Sequence, residues 1–159
     1  MDSSSPNRVI HGVLVNVLGV GVLIMGESGT GKSECALELV SGGHKLIADD
    51  VIEVEPVGDR LFGRPPKGFT GLLAVRDLGI IDVRKHSGDA SVEPRHSIDL
   101  CIALQDPEDS QPKNTSSEFE MYGLRVPKLT VSVTRHRNLS LFVETAVRHR
   151  GSASAGVDI

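Results

Sequence analysis

The eight residues GESGTGKS, Gly26 to Ser33, follow the apolar run Val20 to Met25 and precede a segment with helical periodicity. Gly26, Gly29 and Gly31 permit backbone angles that a side chain would forbid. Successive N–H groups can therefore turn inward and meet phosphate oxygens at the positive end of the following helix. On this pattern the whole loop, Gly26, Glu27, Ser28, Gly29, Thr30, Gly31, Lys32 and Ser33, is expected to cradle a nucleoside triphosphate or a similar polyphosphate. Lys32 is expected to reach the outer phosphates, and the Ser33 hydroxyl to ligate Mg²⁺. The plain alternative is a glycine turn capped by a serine.

Working outward, Val9 to Val17 and Val20 to Met25 are β-branched runs parted by Leu18-Gly19, which predicts two strands and a tight turn. From Lys32 to Val40, Cys35, Ala36, Leu39 and Val40 share one side, while Glu34 and Glu38 share the other. That spacing predicts a helix, ended by Gly42-Gly43. HKLIADDVIEVEP reads as strand, acidic break, strand, and Gly58-Asp59 as a turn into a short strand, Arg60 to Phe62. LLAVRDLGIIDV is a further apolar and charged segment before a polar stretch, Arg84 to Arg95. Strands are expected at Ile98 to Leu104 and Leu129 to Val133, an exposed loop at Gln105 to Ser117, and a closing helix at Leu139 to Val147. The expected organisation is a flexible leader, 1–8, one α/β domain, 9–150, and a disordered tail, 151–159.

Of the 159 residues 39% are hydrophobic and 24% charged, enough for one domain with a core and too few for two comfortable ones. A net charge of −4, one Tyr and no Trp give neither the positive field nor the stacking platforms of a nucleic-acid binder. Val13 to Met25 is too short, and too interrupted by Asn16, Gly19 and Gly21, to span a bilayer. With no secretory pattern in MDSSSPNR, the expectation is a cytoplasmic protein without nucleic-acid or membrane partners. Cys35 and Cys101 lack metal-ligand spacing and are expected to be buried, reduced thiols.

Phosphoryl transfer needs a group to take the acceptor's proton and a counter-charge for the phosphates. Asp49 and Asp50 follow the apolar stretch Leu46 to Ala48, where a strand can present carboxylates toward a neighbouring phosphate loop. In a regular strand the two would point to opposite faces.

These segments together resemble the catalytic domain of the bacterial HPr kinase/phosphorylase family. The resemblance runs from Val9 to about Val147. It is carried by VIHGVLVNVLGVGVLIMGESGTGKSECALELV, GGHKLIADDVIEV, LLAVRDLGIIDV and RNLSLFVETA. It implies a P-loop-containing mixed sheet with flanking helices, like the HPr kinase/phosphoenolpyruvate carboxykinase group, and a hexameric assembly. It also implies a protein-serine kinase that uses ATP or pyrophosphate with Mg²⁺ to phosphorylate the phosphocarrier HPr, and that can reverse the reaction by phosphorolysis. His11 then matches the family's histidine near the catalytic aspartate, Lys32 its phosphate lysine, Ser33 its Mg²⁺ ligand and Asp50 its proton acceptor. Asp49 and the retained Arg76 complete the set of expected catalytic residues.

The chain departs from that family at three places. Ala74 stands where the family carries a glutamate that helps hold Mg²⁺, and a methyl group cannot ligate a metal. Asp77, in a position usually glycine, is a candidate replacement. No arginine lies between Gln105 and Tyr122 to match the family's catalytic loop arginine, which leaves Arg125 as a candidate. Thr134 and His136 replace residues tied to dephosphorylation, with Arg135 and Arg137 alongside. Arg148 and Arg150 read as part of a basic face. The rival expectation these departures raise is a degenerate, non-catalytic nucleotide-binding module.

Overall fold

The structure is a computed structural model that describes residues 8–27, 29–106, 117–133 and 138–154, with backbone alone for 151–154. The expectations placed on Ser28, on most of the loop after Gln105, and on Thr134, Arg135, His136 and Arg137 lie outside the described residues.

Strands β1, Arg8–Val17, and β2, Val20–Met25, form the expected hairpin, with Leu18 and Gly19 both at positive φ in its turn. Helix α1, Lys32–Ser41, follows the glycine-rich loop and buries Cys35, Ala36, Leu39 and Val40, the side its periodicity marked. The segment read as two strands around an acidic break is instead one strand, β3, Lys45–Val57. Antiparallel pairing with β1 carries the ladder through Asp49 and Asp50, and the local irregularity is absorbed by a register shift at Leu14/Val15 and by positive φ at Asp50. β4, Arg60–Arg64, returns along β3. β5, Leu72–Val75, and β6, Gly79–Asp82, make a separate hairpin out of LLAVRDLGIIDV.

A short helix, α2, Val83–Ser87, and a 3-10 turn, Asp89–Ser91, occupy the stretch read as merely polar. The strand expected from Ile98 to Leu104 is two, β7, His96–Ile98, and β8, Leu100–Gln105, because Asp99 leaves the ladder. β9, Glu118–Met121, was not foreseen; it pairs with β10, Leu124–Ser132. Helix α3, Leu139–Ser154, runs past the expected end at Val147 into the stretch expected to be a disordered tail.

The main sheet has eight strands in the order β7-β4-β3-β1-β2-β8-β10-β9. It is mixed: β2, β8 and β10 are parallel neighbours and the other pairings are antiparallel. The sheet curls until β7 meets β2. Gly21 donates to the Asp99 carboxylate at 2.8 Å, and the Asp99 amide donates back to Gly21 O at 2.7 Å. A Cβ on Gly21 would stand 1.7 Å from Ser97 O, so only glycine allows this closure. Inside the curl lie Leu14, Leu23, Ile52, Leu61, Ile98 and Cys101. On the opposite face Val13, Val15, Val22, Ile24 and Ile102 pack under α1, α3 and the β5–β6 hairpin. Tyr122, in the β9–β10 turn, reaches Val54 O at 3.1 Å and accepts from the Arg8 amide at 2.8 Å, fastening that hairpin to β3 and β1. His44, past the end of α1, meets Glu144 of α3 at 2.7 Å. No helix among the described residues is long and apolar enough to cross a membrane.

Candidate active site

The helix-covered face carries an open cleft of about 470 Å³ where β1, the phosphate loop, β3 and the β5–β6 hairpin converge. His11, Gly26, Gly29, Gly31, Lys32, Ser33, Asp49, Asp50, Ala74 and Arg76 all line it. Of the expected residues, Glu27 and Thr30 shape the loop from behind: Thr30 donates to Glu27 O through its amide at 3.2 Å and its hydroxyl at 2.7 Å. Gly29 and Gly31 have φ of 90° and 95°, the left-handed conformation that the glycine spacing requires. Gly31 is also the N-cap of α1. It offers no side-chain cap, which leaves the first-turn amides to water or to an anionic ligand. The serine-capped turn is thereby set aside.

Lys32 Nζ donates to Gly26 O at 2.6 Å and Glu27 O at 3.1 Å, so the ammonium is curled over the loop it belongs to. Arg76 stands across the loop: a Cβ on Gly29 would lie 3.6 Å from its Nη2. The cleft therefore presents amides, an ammonium and a guanidinium on one wall, a set suited to polyphosphate.

The acidic wall is built by β3. Asp49 Oδ1 accepts from Ser33 Oγ at 3.4 Å and Oδ2 from the Ala74 amide at 2.9 Å, pinning this carboxylate to the start of α1. Burial holds its pKa above the ordinary aspartate range, with neighbouring Asp50 pushing the same way. The bonds from Ala74 and Ser33 oppose the shift. By alternation Asp50 belongs with Ala48, Ile52 and Val54, whose side chains enter the curl. Its φ of 70° breaks the alternation and brings Oδ1 to 3.8 Å from His11 Nδ1, with both side chains largely exposed. That distance is too long for a hydrogen bond and short enough for mutual electrostatic influence. Antiparallel pairing of His11 with Val51 and Gly12 with Asp50 sets this juxtaposition. A side chain on Gly12 would meet Ile24 O at 2.7 Å, so the glycine after His11 lets β1 lie close at the cleft floor; the sequence offered no signal for this.

Two substitutes suggested by the sequence fall elsewhere. Asp77 sits in the β5–β6 turn, outside the cleft lining, and Arg125 lies 3.8 Å from Glu118 on the far hairpin. Ala74 contributes its amide rather than a carboxylate. Among the described residues no three His, Cys, Asp or Glu side chains gather as a metal cage. Ser33 and Asp49 nevertheless offer two hard oxygens 3.4 Å apart, a set that fits Mg²⁺, which binds through few protein oxygens and keeps several waters. Cys35 and Cys101 are free and buried, and burial pushes both thiols up to about 12.

Residues 2–159 match the family model for the HPr Serine kinase C-terminal domain. The HPr kinase/phosphorylase of Caldanaerobacter subterraneus subsp. tengcongensis is 45% identical over 152 residues, 92% of this chain and 50% of that protein. That of Cupriavidus necator is 40% identical over 159 residues, 98% of this chain and 49% of that protein. The chain thus spans about half the length of these curated relatives. Among solved structures, the Hpr(Ser) kinase/phosphatase from Coxiella burnetii superposes with a TM-score of 0.84 at 34% identity, covering 94% of this chain and 93% of that one.

Proposed function

The chain belongs to the HPr serine kinase C-terminal domain family, and on that footing we propose that it transfers a phosphoryl group from ATP or pyrophosphate to a serine hydroxyl of the phosphocarrier HPr. The same centre, run backward with inorganic phosphate, would release pyrophosphate. The observation that carries this reading is the left-handed Asp50 in mid-strand, 3.8 Å from His11 and lining the same cleft as Lys32.

In the forward direction the loop amides and Lys32 bind the donor's phosphates, Lys32 exchanging its loop carbonyls for phosphate oxygens. Asp50 is exposed at the mouth of the cleft, where a macromolecular hydroxyl can approach, and its carboxylate accepts the seryl proton. His11 stands beside that carboxylate, its Nδ1 3.8 Å from Oδ1. Ser33 and Asp49 would hold Mg²⁺ beside the phosphates, and the ion when bound supplies charge neutralisation there. In reverse, microscopic reversibility makes Asp50 the acid that returns the proton to the serine.

The test is direct. Incubation of the pure chain with labelled ATP, Mg²⁺ and HPr should yield phosphoserine in HPr, and added phosphate should then release pyrophosphate. Lys32→Ala should weaken ATP and pyrophosphate binding without unfolding the domain, because Lys32 contacts the loop and not the core. Unchanged calorimetric affinity in that variant would remove the loop as the phosphate site. Absence of turnover with cognate HPr would remove the kinase reading.

A further inference from the structure

Both ends of α1 are met by α3. At the amino end, a Cβ built on Gly31, the N-cap glycine of α1, would stand 3.6 Å from Cδ1 of Leu139, the first residue of α3. At the carboxyl end, His44 follows the Gly42-Gly43 stop and places Nε2 2.7 Å from Glu144 Oε2. We propose that His44 and Glu144 are positioning residues: their bond sets the seat of α3 on α1, and through Leu139 that seat sets the shape of the phosphate loop. This rests on the phosphate-site reading above and extends it to two side chains outside the cleft lining.

The bond is built to hold one geometry. An ionised carboxylate only accepts, so Nε2 carries the hydrogen and donates, and 2.7 Å is the length of a charge-assisted contact. His44 is only 8% exposed. Its own amide donates to Leu39 O at 3.0 Å, which roots the imidazole in the last turn of α1. An imidazole so buried finds little water to replace a lost partner, and the contact is costly to break.

Packing alone does not supply that geometry. α3 lies against α1 through Val143 and Val147, buried in one cluster with Cys35, Leu39 and Val40. Apolar contact is non-directional and tolerates small slides, whereas a hydrogen bond between two side chains depends on distance and angle. Buried ion pairs add little net stability over apolar residues of the same volume, and fixing register is their best-attested use.

The start of α3 is tied into the same rigid piece as Glu144. Asn138 Oδ1 accepts from Ser140 Oγ at 2.9 Å and from the Leu141 amide at 3.0 Å, while Asn138 O accepts from the Phe142 amide at 3.0 Å. A shift at Glu144 is therefore carried back along about one and a half turns to Leu139. Beyond Leu139 lies Gly31, at φ 95°, whose carbonyl accepts from the Cys35 amide at 3.0 Å. The displacement thus reaches the first turn of α1, where the uncapped amides await an anion.

Glutamine and asparagine at position 44 separate reach from polarity. Gln is long enough to put an amide hydrogen where the Nε2 hydrogen stands, and Asn is not. In calorimetric titration His44→Gln should bind Mg²⁺-pyrophosphate like wild type. His44→Asn and Glu144→Leu should each bind it about fivefold more weakly, the usual net worth of one hydrogen bond. In hydrogen exchange of the ligand-free chain, the Thr30 and Cys35 amides, which donate to Glu27 O and Gly31 O, should exchange about fivefold faster in those two variants. A pair that only stabilised the fold would speed the core amides of β1 and β2, which open by global unfolding, and leave the loop's local opening as it was. Wild-type pyrophosphate affinity in His44→Asn, equal weakening in His44→Gln, or acceleration confined to the core amides would overturn the proposal. Failure of both His44→Asn and Glu144→Leu to fold would overturn it too, by assigning the pair to the fold alone. If the wild-type chain binds no pyrophosphate, the phosphate site falls, and exchange at Thr30 and Cys35 still decides whether the pair shapes the loop.

Discussion

Two aspartates share a φ of 70° and almost nothing else. Asp77 sits in the turn of the β5–β6 hairpin, closed by the Leu78 amide donating to Val75 O at 3.1 Å, where a left-handed Asp is ordinary turn chemistry. Asp50 lies in the middle of a strand of 13 residues, paired with Gly12 on β1, where no turn asks for it. A left-handed residue costs about 1–2 kcal/mol. At Asp77 the reversal of the chain offsets that cost locally. At Asp50 the return is a carboxylate delivered to the cleft face beside His11 instead of into the curl. Identical backbone geometry thus closes a turn in one region and turns a carboxylate toward a cleft in the other.

The largest expected separation is catalytic. Asp50→Asn should lower HPr phosphorylation and its reversal by about 10²- to 10⁴-fold, the usual worth of a positioned general base, while polyphosphate affinity holds. Asp77→Asn should leave both rates near wild type. Equal losses in the two variants, measured by initial rates, would break the contrast and reassign the base.

Next comes Ala74, whose amide holds Asp49 on one side and whose strand runs into the Asp77 turn on the other. Ala74→Glu should place a third hard ligand near Ser33 and Asp49 and raise apparent Mg²⁺ affinity about tenfold, or about 1.4 kcal/mol. A Mg²⁺ titration of turnover that superposes on wild type would show that Ser33 and Asp49 already suffice.

Glycine at either aspartate probes the strain itself. Asp77→Gly and Asp50→Gly should each stabilise the fold by at most about 1 kcal/mol in urea unfolding, the relief at the left-handed residue being partly offset by the freer unfolded chain. Only Asp50→Gly should also lose turnover. A destabilised Asp50→Gly would mean that the side chain is retained for the fold.

The smallest effect concerns Asp49. Its native pKa is raised above the unfolded value of about 3.8, so in the window just above that value the native state holds more protons than the unfolded state. Stability therefore falls as pH rises through that window. Asp49→Asn should be slightly more stable than wild type at neutral pH in metal-free buffer, by less than the about 2–4 °C that 1 kcal/mol represents in a domain of this size. The difference should vanish in acid, and thermal melts at two pH values read it. A gap that widens in acid would reverse the assignment.

What the sequence disclosed depended on how local its signals are. β1, β2 and α1 were legible almost to the residue because β-branched runs, Leu18-Gly19 and Gly42-Gly43 act within a few positions. β3 was misread as two strands because two acidic residues resemble a break; the ladder with β1, a long-range fact, carries the chain through. The split at Asp99 was hidden for the same reason, since its carboxylate answers Gly21 and Arg60 on distant strands. In the site, the loop declared itself by spacing. The meeting of His11 with Asp50 had no local trace and was anticipated only through the family resemblance. Asp49 and Asp50 do not take opposite faces as alternation required, because Asp50 leaves the β region.

Asp99 joins Gly21 across 78 positions of sequence, at the point where the chain passes from β7, paired with β4, to β8, paired with β2. Contacts so distant are charged their loop-closure entropy before they return any stabilisation, which makes a curled sheet of this kind slow to complete beside a helical domain of equal length. The seam is therefore expected to govern tempo as well as shape. A newly made chain would acquire its glycine-rich loop late, when β2, which ends in that loop, is finally fixed at both edges.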